Sequence, residues 1–214
     1  NIRPRINRWT AARRNLLFDG GVLSSLVQPH FVVEGTGVDE PIRGMPGIHQ
    51  QSVDVLLQTV AEDLAHGLSA VMLFGVVASE HKDAAASHAH DSSSHLHRAV
   101  MELKAEHGDN LVVMTDVCLC TATDHGHCGL VHDGEIVNDP SIDVLVDIAR
   151  SHGEAGADYV CASDMMDGRV AAIRTAFETA GLTNTGILSY SVKYASSFYG
   201  PFRHAAQSLS LIHI

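Results

Sequence analysis

The chain lacks any apolar run long enough to span a bilayer, and no signal-peptide pattern opens it. It also lacks positive charge. Fourteen Lys and Arg stand against 25 Asp and Glu, a formal net charge of −11, which argues against nucleic acid as the main partner. Cysteine is scarce, at four in 214 residues, yet three of the four fall between positions 118 and 128. Clustered cysteines in a chain with no secretory pattern point to metal in a reducing compartment rather than to disulfides, and the cytoplasm is the expected location. A methionine is missing at position 1, where Asn1 stands, so a chain clipped at its front is expected. What remains is 45% hydrophobic and 18% charged, as one soluble globular domain with a substantial core would be. Histidine is the exception to scarcity: there are 15, expected mostly at the surface.

The chemistry concentrates in residues 115–129, Thr-Asp-Val-Cys-Leu-Cys-Thr-Ala-Thr-Asp-His-Gly-His-Cys-Gly. An apolar run at 111–114 reads as a buried strand. If the strand continues, its period of two puts Asp116, Cys118 and Cys120 on one face. Gly126 and Gly129 then let the loop bring Cys128 back to the same point. Three convergent thiolates suit zinc, and three rather than four leave a coordination position open, as a catalytic site requires. The competing reading is three small buried hydrophobes. Asp124 and His127, between the ligands, fit supporting positions around the metal. Cys161 reads as a core residue.

Strands are expected at 26–33, 70–77, 111–119, 159–163 and 186–193. Between them, Ser52 opens a helix carrying Val53, Leu56, Leu57, Val60 and Leu64. Pro140 opens another with Ile142, Leu145, Val146 and Ala149, and Val170, Ile173 and Phe177 mark a third, stopped by Gly181. Alternation of strand and helix implies a parallel sheet, either doubly wound or a (β/α)8 barrel. In a barrel, active-site residues gather at the C-terminal strand ends, where Asp116, Ser163, Asp164 and Lys193 fall. Tyr194, Phe198, Tyr199 and Phe202 give Lys193 an apolar setting, and a desolvated lysine attacks carbonyls to form a Schiff base. Asp164, Asp167 and Arg169 are read equally as strand-end hydrogen bonding or catalysis. The histidine-rich loop 79–97, with His81, His88, His90, His95 and His97, reads as a solvated, mobile flap in preference to a metal site, for want of fixed ligand spacing.

Asp-Val-Cys-Leu-Cys at 116–120 and Asp-His-Gly-His-Cys-Gly at 124–129 resemble the zinc signature of the porphobilinogen synthase (5-aminolevulinate dehydratase) family. So do Phe-Val-Val-Glu-Gly at 31–35, Met-Pro-Gly at 45–47, Leu-Phe-Gly-Val at 73–76, Ser-Asp-Met-Met-Asp-Gly-Arg-Val at 163–170 and Lys-Tyr-Ala-Ser-Ser-Phe-Tyr-Gly-Pro-Phe-Arg at 193–203. The resemblance implies a (β/α)8 barrel and the condensation of two 5-aminolevulinate molecules to porphobilinogen with loss of water, in haem biosynthesis. It implies Lys193 as one Schiff-base lysine, Asp116 and Ser163 as orienting groups, and Arg203 and Tyr199 as substrate-binding residues. Cys118, Cys120 and Cys128 would be the ligands of a catalytic zinc, and an allosteric magnesium would lie outside this chain. Residues 1–25 would form an N-terminal arm embracing a neighbour in a homo-oligomer of octamer type, a docking role that Trp9 suits. Residues 26–214 would be a barrel of about five strands, short of the roughly 250 residues of a full one. A truncated chain is therefore expected, with residues 210–214 a foreign tail and a second lysine beyond it. Two alternatives stand beside this reading: an inactive zinc-binding, subunit-associating fragment, or another Schiff-base lyase or aldolase on the same barrel.

Overall fold

The computed structural model describes residues 2–19, 21–194 and 200–206, apart from the side chains of Asp19 and Arg203. In chain order, α1 (Ala11–Arg14) is followed by β1 (Gln28–Val32), β2 (Asp39–Pro41), β3 (His49–Gln51) and α2 (Val53–Ala65). Next come β4 (Ala70–Gly75), α3 (His95–His107), β5 (Val112–Val117), β6 (Leu130–His132), β7 (Glu135–Val137) and α4 (Asn138–Glu154). The described chain closes with β8 (Tyr159–Ala162), α5 (Arg169–Thr179), β9 (Gly186–Ser189) and α6 (Gly200–Ala206). The main sheet runs β2-β3-β1-β4-β5-β8-β9, with every neighbouring pair parallel except β2–β3. β6 and β7 form a separate hairpin.

The period of two along the strands decides between the two parallel architectures. Val71, Leu73 and Val113 pack with Val53, Leu56 and Val60 of α2 and with Ala99, Val100 and Leu103 of α3. Val117, Val160 and Ala162 pack with Leu145, Ile148 and Ala149 of α4 and with Ile173 and Phe177 of α5. The alternate residues Ala70, Val112, Met114, Tyr159 and Cys161 form a cluster that includes no residue of α2 to α5. All four long helices thus cover one face, as in a barrel wall, whereas a doubly wound sheet carries helices on both. Cys161 is core, as expected.

The helix-free cluster is completed by the arm, through Ile6, Ala12 and Leu16. Arg13, 4% exposed, anchors that contact: its Nη2 meets Asp158 Oδ1 at 2.6 Å. The other carboxylate oxygen accepts from Lys104 Nζ at 2.9 Å and from the Val113 amide at 2.8 Å. Asp158 lies just before β8, so this network closes the N-terminal end of the sheet. Trp9, on the same arm, stays 54% exposed.

Three expectations change. Ser52 stands at the N-cap of α2 but does not cap it; its Oγ accepts from the Val38 amide at 2.9 Å and donates to Asp54 Oδ1 at 2.6 Å, tying the β1–β2 connection to the helix. The loop 79–97 is not a solvated flap. Two 3-10 turns, Ser79–His81 and Ser87–His90, lead into α3, where His95 and His97 are 5% and 1% exposed. Nor are the histidines mostly at the surface: among the described residues only His66, His81, His132 and His204 are exposed. Leu96, Ala99, Val100 and Leu103 supply the helical stripe that draws the intervening histidines inward.

Candidate metal centre and lysine site

β5 ends at Val117, so the cysteines lie on a loop rather than on a continued strand. The loop folds back on itself, with the amides of Ala122 and Thr123 donating to Leu119 O at 2.9 Å each. It is pinned to the segment after β4 by Asp83 N to Ala122 O and Asp124 N to Asp83 O, both 3.2 Å. Thr123 Oγ1 then donates to His127 O at 3.1 Å. Gly126 takes φ +72°, a left-handed conformation that glycine adopts without steric cost. At Gly129 a Cβ would stand 2.6 Å from Ile136 Cγ2 and 3.0 Å from Ser141 Oγ, so only glycine lets the loop close against the β6–β7 hairpin and α4. That closure returns Cys128 to its partners.

The three thiols are buried. Cys118 and Cys120 Sγ are 3.4 Å apart, and all three sulfurs lie within 4.8 Å of one another. A disulfide needs about 2.05 Å. The sulfurs therefore stand as separate donors around a common point, which is the arrangement a thiolate-bound metal requires. Cys118 and Cys120 donate toward Cys128 and hold it down to about 4, against the effect of burial. Cys120 is itself raised by Cys118, by Cys128 and by burial. Cys118 is drawn down by Cys120, but Cys128 and burial push it up to about 12.

Around the trio stand the other residues singled out in the sequence. Asp116 is raised to about 7, first by burial and then by Cys118; a hydrogen bond from the Ser163 side chain and the charge of Lys193 oppose the rise. Its Oδ1 is buried without a hydrogen-bond partner. Asp164, at the end of β8, is raised to about 6, again chiefly by burial, and pairs with Arg169 Nε at 3.4 Å. Lys193 Nζ donates to the carbonyl of Ser163. The structure therefore brings Lys193, Ser163, Asp116 and the cysteines together, all at the C-terminal ends of β5, β8 and β9.

The setting of Lys193 differs from expectation. β9 ends at Ser189, four residues earlier, and Lys193 is exposed rather than desolvated. Tyr194 is 83% exposed. Phe202 packs with Phe31 and Phe74, with ring centroids 5.7 and 5.3 Å away. Phe198 and Tyr199 lie outside the described residues, as does the side chain of Arg203. Asp124 is exposed and contributes its backbone amide to the loop, while His127 donates its amide to His125 Nδ1 at 3.1 Å.

Sequence reading missed Lys82. It is half-buried, its pKa is lowered by that burial, and it lies close enough to Cys120 for the sulfur's charge to oppose the shift. Its position after β4, beside the Asp83 that pins the cysteine loop, was the available signal.

Comparison with known proteins places these features in context. A family model described as delta-aminolevulinic acid dehydratase matches residues 1–212. A protein of that name from Methanothermobacter thermautotrophicus is 54% identical over 187 residues, covering 86% of this chain and 56% of the relative. One from Halalkalibacterium halodurans is 46% identical over 207 residues, covering 96% and 62%. The chain thus spans about three fifths of the length of these relatives. The crystal structure of the Toxoplasma gondii enzyme, solved with its reaction product porphobilinogen, superimposes with a TM-score of 0.86 at 42% identity, covering 100% of this chain and 61% of that one.

Proposed function

The chain belongs to the delta-aminolevulinic acid dehydratase family, and on that premise we propose that the protein condenses two molecules of 5-aminolevulinate to porphobilinogen with loss of water, in tetrapyrrole biosynthesis. The observation that carries this reading is the meeting of Lys193, Ser163 and Asp116 with three clustered cysteines. The Lys193 amine adds to the ketone carbon of one substrate. The carbonyl oxygen takes up both amine protons and leaves as water, and a C=N bond remains. Asp116, raised to about 7 and near enough to Lys193 to feel its charge, is assigned to give and take protons near neutral pH. Ser163 presents its carbonyl to the amine and its hydroxyl to Asp116, fixing the two groups relative to each other.

Cys118, Cys120 and Cys128 fit zinc, because three buried thiols around one point offer sulfur donors and leave a fourth position free. When bound, zinc supplies a Lewis acid for a substrate or water oxygen. Arg203 and Tyr199 are assigned to substrate binding on the family resemblance, Arg203 through a guanidinium suited to a carboxylate. Exposed Trp9, on an arm otherwise docked to its own sheet, supports contact with a neighbouring subunit in a homo-oligomer.

The test is incubation with 5-aminolevulinate and zinc. Porphobilinogen should form, and should cease to form after chelation and in Lys193→Ala. Folded, zinc-loaded protein that yields none would overturn the catalytic reading in favour of a metal-binding, non-catalytic one. Product that persists without zinc would favour a metal-independent Schiff-base lyase.

A further inference from the structure

A second group of donor atoms stands apart from the cysteines, and the proposed reaction does not use it. Glu34 lies two residues beyond β1, His88 lies in the turn Ser87–His90, and His95 is the first residue of α3. Their donor atoms lie within 4.8 Å of one another. Glu34 Oε1 is 3.6 Å from His88 Nε2 and 3.7 Å from His95 Nδ1, and its other oxygen is 3.8 Å from His81 Nε2. The His81 and His88 rings stack at 5.3 Å, with His95 next at 6.1 Å.

These separations are too long for hydrogen bonds, which fall below about 3.2 Å. They suit donors that share an ion. Nitrogen and oxygen ligands about 2.1 Å from a tetrahedral cation sit about 3.4 Å from each other, close to the 3.6 and 3.7 Å that separate Glu34 Oε1 from the two rings. Burial gives a second, independent indication. The side chain of His95 is 2% exposed; its ring has a backbone contact with Val32, but neither ring nitrogen makes a well-formed hydrogen bond, and His88 Nε2 is likewise buried without a partner. Buried polar atoms in native proteins are almost always satisfied. His95 Nδ1 and His88 Nε2 both face Glu34 Oε1, at 3.7 and 3.6 Å.

We propose that Glu34, His88 and His95, with His81 as a fourth ligand from the solvent side, form a second divalent-metal site, of nitrogen and oxygen donors, distinct from the cysteine centre. Two or three imidazoles with one carboxylate select borderline cations, zinc or cobalt, over calcium or magnesium, which take all-oxygen sets. Burial holds His95 at about 4, so near neutral pH its ring is in the uncharged form that ligates. His88 and His95 also border a cavity of about 30 Å³ whose other walls include Asp116 and Cys118. The second ion would therefore neighbour the first centre without sharing a ligand with it. The proposal does not depend on the reaction assigned above.

The experiment is a cobalt(II) titration of the metal-free protein, without an affinity tag, read as bound metal per chain and by absorption. Thiolate ligation gives a sulfur-to-cobalt charge-transfer band that nitrogen and oxygen donors do not. Intact protein should bind two equivalents. The Cys118→Ser, Cys120→Ser, Cys128→Ser variant should keep one, without the band, and lose it when Glu34→Gln and His95→Asn are added. If the triple variant does not fold, Glu34→Gln with His88→Asn in the intact cysteine background should remove one equivalent and leave the band unchanged. A single equivalent in intact protein, or a second that survives the loss of Glu34 and His88, would overturn the site.

Discussion

The two ends of the parallel sheet treat their buried carboxylates differently. At the N-terminal end, Asp158 is buried and both of its oxygens are engaged, by Arg13, Lys104 and the Val113 amide, although Arg13 Nε and Ser69 Oγ nearby are buried without a partner. At the C-terminal end, Asp116 Oδ1, Asp164 Oδ2 and His88 Nε2 are buried without hydrogen-bond partners. Desolvation raises both of those carboxyls, whereas the paired end spends its polar groups on holding the arm to the strands. Satisfied polar networks stabilise; unsatisfied ones persist where a ligand or a reaction uses them. The same fold thus divides stability and chemistry between its two ends.

The comparison is broken most severely by Asp158→Ala. It strands the buried guanidinium of Arg13 and should cost about 3–5 kcal/mol, the range for removing one partner of a buried pair. A fall in the urea midpoint with an unchanged slope would be the sign. At the other end, Cys120→Ala should reverse the pattern. In metal-free protein it should cost only about 1 kcal/mol, as loss of a small buried group does. Zinc affinity should fall by more than the 10–100-fold that removal of an outer partner of a metal ligand costs. Calorimetric titration alongside unfolding separates the two effects.

Much of this division was legible in the chain. The β-branched runs before Asp116 and Ser163, and the helical spacing from Val53 to Leu64, announce strands and helices through burial alone. The cysteine spacing announced the thiol cluster, because a loop with two glycines can return Cys128 to Cys118 and Cys120. α3 was hidden because His95 and His97 read as polar, although Leu96, Ala99, Val100 and Leu103 carry a helical stripe. β2 and β3, Asp-Glu-Pro and His-Gln-Gln, hold no apolar pattern and are set by pairing with neighbours. The partners of Glu34 were legible as a histidine-rich loop, but their meeting with Glu34 was not, because it joins them from beyond β1 only when the sheet forms.

Acid should sharpen the comparison further. His152 is buried between Thr115 Oγ1, at 3.1 Å, and the ring of His97, and its pKa is lowered to about 3 by burial first and by His97 second. The folded state therefore binds this proton less readily than the unfolded chain, whose histidines titrate near 6.5. Its contribution is fully present above about 6.5 and is lost as pH falls toward 3, by about 2 kcal/mol between pH 7 and pH 5. Urea midpoints at the two pH values should differ less in His152→Gln than in the parent. The smallest effect is expected at the arm, where Thr10 Oγ1 accepts the Arg13 amide at 3.2 Å as the N-cap of α1. Thr10→Ala should cost about 1 kcal/mol and leave metal binding untouched, which thermal unfolding and metal titration can check together.

The central claim is that the C-terminal end of the sheet presents Lys193 as a nucleophile beside the cysteine centre. It is tested most directly by incubating the protein with 5-aminolevulinate, reducing with borohydride and mapping the adduct by peptide mass. The account predicts one substrate joined through a reduced imine to Lys193, and no such adduct in Lys193→Arg. Absence of any adduct in folded protein, or its appearance on another lysine while Lys193 stays unmodified, would contradict it.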